Sequence, residues 1–504
     1  MSANSTSQGI RHVFVLMLEN RAFDHMLGFS AITGTDAATG QPTQINGLTG
    51  AESNTFNGQT HVVSQPAGFT MPVDPLHEFP DILLQLCGPA AKYAPGGAYP
   101  PIDGSGFVAS YVASNGTDPA EIMKCYSPSQ LPVLTALAKE FAVCDNWCGS
   151  LPGPTWPNRL FVHGASSGGL DHSPTTAEIV LWETLAGFSL KHGTIFDAMN
   201  KKKLSWRICA GDEFPMTAAL KGIHLSDVQP YQQFLHDVAQ ASYSAAYTFI
   251  EPSYNVLADY KCSTSQHPLD DVTRGESLIK CTYEAIRSSP LWSQSMLIVT
   301  WDEHGGFYDH AIPPAAAAPG DTLPGSAHNK FGFTFQQYGP RVPAVVVSPL
   351  IPRNLVDHRL YDHASIPATL EALFGLKPMT ARDAAANSLT ALASLPNPRT
   401  DAPATLPDPA PSGVGGCPPF LCSAQPVAAL AMAASEPPPV SRPAGTVNDG
   451  NVPGVLQAAL RSDLALSPAA DRKKIIARVG AITTRREAKE YVEHVRRKVR
   501  ARRA

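Results

Sequence analysis

The apolar run His12-Val-Phe-Val-Leu-Met-Leu18 leads directly into the polar pair Glu19-Asn20. A second apolar run, Ser295-Met-Leu-Ile-Val-Thr-Trp301, leads in the same way into Asp302-Glu303. Short apolar runs of this kind are typical of strands that are buried on both faces of a parallel sheet. Ligand sites of such sheets lie just beyond the carboxyl ends of the strands. The sequence therefore predicts an α/β protein with a polar site where these two strands end.

If the two strands are near neighbours, Glu19, Asn20, Asp302 and Glu303 bring three carboxylates and one amide oxygen to the same point. Hard oxygen donors of this kind bind divalent cations. We therefore expect one divalent metal ion as a cofactor. Its identity stays open, because Ca²⁺, Mg²⁺, Mn²⁺ and, less well, Zn²⁺ accept an all-oxygen site.

Further strand-like runs alternate with helical patterns along the chain. One helix is predicted from Pro132, and another from Gly275 to Ser288. Strands that alternate with helices indicate a mostly parallel sheet flanked by helices, and we place this catalytic domain at residues 8–396. The predicted additional strands are Trp206–Ala210, Ala246–Ile250 and Val342–Val347.

Three segments have a different character. Residues 30–115 are rich in Gly, Pro, Asn and Thr, and we interpret them as long active-site loops. Residues 397–450 are a predicted disordered linker, since Asp401–Gly445 holds 11 Pro and 10 Ala. Residues 451–504 form a basic helical tail. Its last part, Arg485–Arg503, predicts a basic amphipathic helix. It is either a surface helix, solvated or docked on the acidic body, or a site of attachment to an anionic membrane or a partner.

The charge and the cysteine content of the 504-residue chain limit the classes of function that it can have. The net charge is −5, and the last 34 residues carry 13 Lys/Arg against four Asp/Glu, so the rest of the chain is strongly acidic. We expect no nucleic-acid partner for such a body. Nine cysteines at irregular spacing argue against a disulfide scaffold or a zinc site, and a local Cys417–Cys422 disulfide stays open.

The amino-terminal residues are polar, and no apolar run approaches the length of a membrane span. We therefore expect a protein that stays in the cytoplasm or is exported without a cleaved signal. The sequence does not decide between these two compartments.

The segment Ser150-Leu-Pro-Gly-Pro-Thr155-Trp-Pro-Asn-Arg159 predicts a helix start, with Pro157 just inside it. The Thr155 hydroxyl would then lie at the positive end of a helix, where an alkoxide or a phosphate oxygen is stabilised. A threonine hydroxyl is a poor nucleophile unless a metal ion activates it. The alternative is that Thr155 merely caps the helix.

Three histidines stand beside carboxylates or prolines: His77 in Asp74-Pro-Leu-His77, His267 in Gln266-His-Pro-Leu-Asp-Asp271, and His363 in Tyr361-Asp-His. Histidines in such contexts are candidates for phosphate contact or for proton donation to a leaving group. His304 and His310 flank the second acidic pair, where a supporting role at the site and a structural role are equally compatible with the sequence.

Four blocks together resemble the phosphoesterase family, which includes bacterial phospholipases C, plant non-specific phospholipases C and an acid phosphatase branch. The resemblance covers residues from about 10 to about 380. The blocks are Glu19-Asn-Arg-Ala-Phe-Asp-His25, Pro152-Gly-Pro-Thr-Trp-Pro-Asn-Arg159, Asp302-Glu-His-Gly-Gly-Phe-Tyr-Asp-His310 and Pro340-Arg-Val-Pro343.

The resemblance implies an alkaline-phosphatase-like α/β fold with a divalent metal between distant strand ends. It assigns Thr155 as the phosphoryl-accepting nucleophile, and Thr155 also as a ligand of the metal. We place Asn158, Arg159 and His304 with the substrate. The implied metal ligands are Glu19, Asn20, Asp302 and Glu303, and the implied substrate-phosphate and acid/base histidines are His77, His267 and His363.

The favoured function is a phospholipase C that releases diacylglycerol through a phosphothreonine intermediate, with His267 or His363 as the proton donor. A phospholipid substrate needs an apolar mouth, for which Phe69, Met71, Leu76 and Phe79 are candidates, and the sequence is equally compatible with an ordinary core position for these residues. Two alternatives remain: an acid phosphatase that acts on phosphomonoesters, and a non-catalytic, metal-stabilised binding module. The basic tail would provide peripheral contact with a membrane.

Overall fold

The computed structural model describes residues 9–184, 187–321, 328–420, 422, 447–448 and 451–503. Ten strands form one mixed sheet in the order β3-β2-β12-β6-β11-β10-β1-β9-β7-β8, and β4 pairs with β5 in a small hairpin. Most neighbours in the large sheet are parallel, as predicted. The antiparallel pairs are β10 with β11, β11 with β6, and β2 with β3. The strands are β1 His12–Leu18, β2 Thr33–Asp36, β3 Pro42–Gln44, β4 Ser53–Phe56, β5 Gln59–Val62, β6 Ala142–Cys144, β7 Trp206–Ala210, β8 Val228–Pro230, β9 Tyr247–Glu251, β10 Ser295–Trp301, β11 Ala344–Val347 and β12 Leu355–Asp357.

The two long apolar runs, His12–Leu18 and Ser295–Trp301, are adjacent strands at the centre of the sheet. β1 and β10 pair in parallel along their full lengths, from His12 opposite Ser295 to Leu18 opposite Trp301. Both strands are buried on both faces, as their lack of polar alternation predicts. The register places the residues that follow each strand side by side.

Helices cover both faces of this sheet. The helix predicted from Pro132 is present with proline in its first turn, and the helix predicted from Gly275 begins earlier, where Asp271 caps Thr273 N over 3.0 Å. The helices are α1 Phe23–Leu27, α2 Phe79–Cys87, α3 Phe107–Ala113, α4 Pro132–Glu140, α5 Thr155–Gly164, α6 Thr176–Thr184, α7 Ile195–Lys201, α8 Tyr231–Val238, α9 Val272–Arg287, α10 Ser365–Phe374, α11 Ala381–Ala385, α12 Val452–Leu466, α13 Arg472–Gly480 and α14 Arg485–Arg503.

The interpretation of residues 30–115 as long loops is wrong in part. This segment contains strands β2 to β5 and helices α2 and α3. These elements are short, and β4, α2 and α3 bury apolar side chains in a second cluster with Phe307 and Tyr308. Short elements separated by Gly and Pro leave little periodicity in the sequence, which explains the missed strands and helices.

The basic helix α14 packs on the body rather than standing apart from it. Its apolar residues Tyr491, Val492 and Val495 are buried against the rest of the C-terminal helices. Arg496 and Arg500 pair with the carboxylate of Glu213 at 2.6 and 3.0 Å. Of the two readings of this helix, the structure shows the docked one, and membrane contact stays a prediction.

The expectation for the cysteines is corrected by two disulfides, which join Cys262 to Cys417 and Cys281 to Cys422. The pairing Cys417–Cys422 is therefore wrong.

Residues 401–420 have no helix or strand but pack along α9, where Tyr283 donates to the carbonyl of Pro403 over 2.6 Å. Most of the remaining predicted linker lies outside the described residues. Among the helices that the structure describes, none is long and apolar enough to span a membrane.

Candidate active site

The strand ends bring together the residues that follow β1 and β10. The backbone N–H of Asn20 donates to Asp302 Oδ1 over 2.9 Å, and the backbone N–H of Arg21 donates to the carbonyl of Glu303 over 2.9 Å. The side-chain amide of Asn20 also contacts Glu303 Oε1. All of these side chains are buried. The geometry follows from the parallel register, since Leu18 and Trp301 lie opposite each other.

A glycine is required where the second acidic motif approaches the first. Gly305 has a φ of +66°, and a Cβ added there would lie 2.2 Å from the carbonyl oxygen of Asn20. Asn20 itself has a φ of 62°, a left-handed conformation that asparagine tolerates better than most residues. The Asp302-Glu-His-Gly segment can therefore reach Asn20 only with glycine at position 305.

Thr155 is the first residue of helix α5, so the helix begins two residues before Pro157. Its hydroxyl lies 3.3 Å from Asn20 Nδ2, which makes Asn20 a donor to the predicted nucleophile. The positive end of the helix dipole is at this position. The residue before the helix, Pro154, provides no side-chain cap.

Asn158 holds the loop in front of Thr155. Its side-chain amide donates to the carbonyls of Gly153 over 2.7 Å and Pro154 over 3.1 Å, and its Oδ1 accepts from the backbone N–H of Leu151. The Asn158 amide is thus engaged in fixing the conformation of the loop, and its predicted contact with substrate remains a prediction.

Arg159, the next residue in α5, binds the carboxyl ends of β1 and β10. Its Nε donates to Asp302 Oδ2 over 3.0 Å and its Nη2 to the carbonyl of Leu18 over 2.8 Å. Burial raises the pKa of Asp302 to about 6, although the positive charge of Arg159 opposes that rise. Arg159 therefore orients a carboxylate of the site, and a direct contact with substrate remains a prediction.

His77 stands beside Asn20, with its Nε2 at 3.4 Å from Asn20 Nδ2, while its Nδ1 donates to the carbonyl of Pro75 over 2.7 Å. Burial lowers the pKa of His77, but the negative charges of Glu303 and Asp74 outweigh it and raise the pKa to about 10. His77 is therefore a cation at neutral pH, which suits a group that meets a phosphate.

His267 lies against Asp74 and under an aromatic ring. Its Nε2 faces Asp74 Oδ2 at 3.4 Å, and the ring of Tyr260 stacks on it with a centroid distance of 3.3 Å and an interplanar angle of 2°. Asp74 thus links the two predicted histidines, because its charge also acts on His77.

His363 and His304 are held by bonds at their ring nitrogens. Trp147 Nε1 donates to His363 Nδ1 over 3.2 Å, so the imidazole proton lies on Nε2, which donates to the carbonyl of Asp302 over 2.5 Å. Burial lowers the pKa of His363 to about 4. His304 Nε2 pairs with Gln85 Oε1 over 2.8 Å. These contacts give both histidines a part in fixing the ends of the second acidic motif.

The donor set of the strand ends fits a divalent cation. Glu19 Oε1 and Asn20 Oδ1 are buried, and neither has a hydrogen-bond partner among the described residues. Burial and the neighbouring charge of Asp302 raise the pKa of Glu19 well above its usual range. Buried oxygens without partners and crowded negative charge are the features that a cation would satisfy.

A second cluster contains ligand atoms closer together. Asp24, Asp309 and His310 each have one possible ligand atom, and these three atoms lie within 4.8 Å of one another. Arg341 already donates to Asp24 Oδ1 over 3.0 Å and to Asp309 Oδ1 over 2.9 Å. Because its guanidinium supplies positive charge to both carboxylates, we interpret this cluster as a buried ion-pair network.

The chain is similar in sequence to known phosphoesterases. The sequence model of the phosphoesterase family matches residues 10–377. The chain is 36% identical to non-specific phospholipase C6 of Arabidopsis thaliana over 423 residues, which covers 80% of this chain and 76% of the relative. It is 28% identical to phospholipase C B of Mycobacterium tuberculosis, over 77% of this chain and 79% of the relative. The chain therefore belongs to the phosphoesterase family, and it is a phosphoric ester hydrolase.

Among solved structures, a protein in the alkaline phosphatase superfamily from Vibrio parahaemolyticus aligns at a TM-score of 0.31 and 15% identity. The alignment covers 51% of this chain and 64% of that chain.

Sequence reasoning missed the residues that hold the predicted ones. Asp74 stands in the same tetrapeptide as His77 and could have been found from that proximity. Trp147 and Gln85 carried no signal, because each reaches the site from a distant part of the chain. Tyr260 lies in the loop just before His267, but no local pattern predicts that its ring stacks on this histidine.

Proposed function

We propose that this hydrolase is a phospholipase C that cleaves phospholipid phosphodiesters through a phosphothreonine intermediate. The observation that carries the proposal is the position of Thr155, whose hydroxyl lies 3.3 Å from Asn20 Nδ2 at the start of α5. The buried carboxylates of the strand ends surround the same asparagine. The similarity to proteins named non-specific phospholipase C supports the choice of substrate.

In the first step, the deprotonated Thr155 oxygen attacks phosphorus and forms the phosphothreonine, while the bond between phosphorus and the diacylglycerol oxygen breaks. His77 gives its Nε2 proton to this leaving oxygen. His77 is favoured over His363 because it is charged, whereas both ring nitrogens of His363 are bonded to fixed groups. The expected roles of the histidines therefore change in this respect.

In the second step, the neutral His77 takes a proton from water, and the resulting hydroxide attacks phosphorus. The bond to Thr155 breaks and releases the phosphorylated head group. His267 donates to a phosphoryl oxygen as its charge grows, and the N-terminus of α5 stabilises the same charge. His77 thus acts first as general acid and then as general base.

Glu19, Asn20, Asp302 and Glu303, together with Thr155, would hold one divalent cation. When bound, it would supply positive charge that favours the deprotonated hydroxyl and offsets the charge of the phosphoryl group. Arg159 would keep Asp302 in place, and Asn158 would keep the loop before Thr155 in place.

Only two of the four residues considered for an apolar entrance are accessible to a lipid substrate. Leu76, which precedes His77, is exposed, and Phe69 is partly exposed. Met71 and Phe79 are buried in apolar clusters, which is the core position that the sequence also allowed for them.

The proposal is tested by hydrolysis of phosphatidylcholine, p-nitrophenylphosphorylcholine and p-nitrophenyl phosphate, each with and without EDTA. We expect EDTA-sensitive release of diacylglycerol and no release by Thr155→Val. Cleavage of the monoester alone would assign the protein to the acid phosphatase branch. Silence on all three substrates in the presence of added divalent metals would favour a binding module.

A further inference from the structure

The loop formed by residues 255–266 has an unusual backbone. Asn255, Asp259, Tyr260 and Cys262 have φ values of 48°, 50°, 63° and 61°, all in the left-handed region. Tyrosine and cysteine rarely adopt this conformation, and it persists only where the surroundings impose it. The 255–266 loop leads directly into His267, so whatever holds the loop also affects this histidine.

Tyr260 is the residue through which the loop meets the site. It is buried, and its ring lies flat on His267 at 3.3 Å. Burial raises the pKa of Tyr260 well above its usual range, the nearby charge of Glu19 raises it further, and the backbone of Asn451 beside the hydroxyl opposes the rise. Tyr260 therefore touches a proposed phosphate-binding residue on one side and the C-terminal region on the other.

Two contacts from later parts of the chain fasten this loop. Arg485 Nη2 donates to the carbonyl of Val256 over 2.8 Å. Cys262 is joined covalently to Cys417. These two contacts come from positions far apart in the sequence, and each acts on a different part of the loop. Asn451, which lies beside Tyr260, is itself held by its side-chain amide, which reaches Glu19 Oε2 at 3.5 Å.

The C-terminal region is itself firmly placed. Gly454 in α12 lies so close to Trp156 that a Cβ added there would be 1.7 Å from the indole Cζ2. Arg461 donates to the carbonyls of Leu220 over 2.8 Å and Ile223 over 3.0 Å. Because α12 is fixed against the helix that begins with Thr155, it can serve as a rigid support for the loop.

We propose that Tyr260 is a positioning residue for His267, and that Asn451, Arg485 and the Cys262–Cys417 disulfide hold Tyr260 in that position. Residues 451–503 thus help to position an active-site histidine. The effect on turnover rests on the proposed function, since it requires that His267 stabilises the transition state.

The first test compares two substitutions of Tyr260 in the full-length protein. Tyr260→Phe keeps the ring on His267, and we expect kcat within about threefold of the wild type. Tyr260→Leu removes the flat ring, and we expect kcat to fall about 100-fold with little change in KM, because the lost interaction acts in the transition state. Equal kcat values for the two variants, or a fall confined to thermal stability, would overturn the positioning role.

The second test uses the two disulfides as matched variants. Cys262→Ser with Cys417→Ser frees the 255–266 loop, whereas Cys281→Ser with Cys422→Ser removes a disulfide from the same C-terminal segment but leaves the loop tied. We expect faster amide hydrogen exchange in residues 255–266 and about tenfold lower kcat only in the first double variant. Equal exchange in the two double variants would overturn the proposal.

Hydrogen exchange also separates the two proposals. If the wild type hydrolyses none of the phosphoesters, the proposed function fails. The support of the 255–266 loop is then still decided by exchange in the two double variants and in Arg485→Met, which removes the side-chain bond to the carbonyl of Val256 and for which we expect faster exchange in this loop. Unchanged exchange in Arg485→Met would remove this residue from the support.

Discussion

The side-chain nitrogen of Asn20 lies 3.3 Å from the hydroxyl of Thr155, and this contact joins the carboxyl end of β1 to the first turn of α5. The backbone N–H of the same asparagine binds Asp302 at the end of β10. Asn20 therefore connects the three elements that carry the proposed nucleophile and the proposed metal ligands. Displacement of this residue would affect all three at once.

Thr155→Val should abolish phosphoester hydrolysis, because the isosteric side chain lacks the attacking oxygen. The unfolding midpoint should stay close to that of the wild type. Thr135→Val is the matched control, since Thr135 is also buried in a helix and its hydroxyl has no recorded partner among the described residues. Steady-state kinetics with thermal unfolding provides the measurement. Turnover by Thr155→Val at the wild-type rate would exclude the phosphothreonine.

Glu19→Gln should weaken binding of a divalent cation at least about tenfold, because it removes a charged ligand of the proposed set. Asp309→Asn, in the cluster neutralised by Arg341, should leave the bound metal unchanged. Elemental analysis of the dialysed proteins, followed by metal titration, tests both variants. Loss of metal from Asp309→Asn but not from Glu19→Gln would place the ion in the second cluster.

Arg159→Met should lower the free energy of unfolding by about 3 kcal/mol, because Asp302 would keep its buried charge without a partner. Arg353→Met is a suitable control: this arginine pairs with Glu140, but its side chain is 67% exposed, so we expect little change. Urea denaturation under non-reducing conditions measures the difference. Equal stability of the two variants would show that Asp302 does not depend on Arg159 for its charge.

The contribution of His172 to stability should depend on pH. Burial lowers the pKa of His172, but Asp171 and Glu178 outweigh burial and raise the pKa from 6.5 to about 9. Because the folded pKa is the higher one, the stabilisation is complete below pH 6.5 and is lost as the pH rises through 9. The difference in unfolding free energy between wild type and His172→Gln should therefore shrink by up to about 3 kcal/mol over this range.

Unfolding curves at several pH values measure this dependence, and the exposed His192 provides the control variant His192→Gln. A difference that grows with pH would contradict the assignment of the charged His172 to the folded state.

Two apolar strands and the polar residues after them were predictable, because burial on both faces leaves a continuous apolar run that ends where the chain turns. The helices from Pro132 and near Gly275 were predictable for the same kind of local reason. The hairpin β4–β5 and the helices α2 and α3 were not, since they are short and are stabilised by contacts with Phe307 and Tyr308 from a distant segment.

At the site, the sequence indicated which residues carry chemistry but not which residues hold them. Trp147 reaches His363 from a distant segment, and Tyr260 reaches His267 through the folding of one irregular loop, and no local pattern marks either contact. The disulfide partners of Cys417 and Cys422 were likewise invisible, because proximity in space does not follow from spacing in the chain.

The amino-acid sequence was sufficient to predict the α/β class, the two central strands and the set of acidic, histidine and threonine side chains available for catalysis. These follow from local periodicity and from the chemical nature of each residue. The folded structure was needed to show that β1 and β10 are parallel neighbours, that His77 carries the charge while His363 is neutral, and that the C-terminal helices lie against the site. Register, burial and electrostatic surroundings depend on segments distant in sequence, which pack together only in the folded chain.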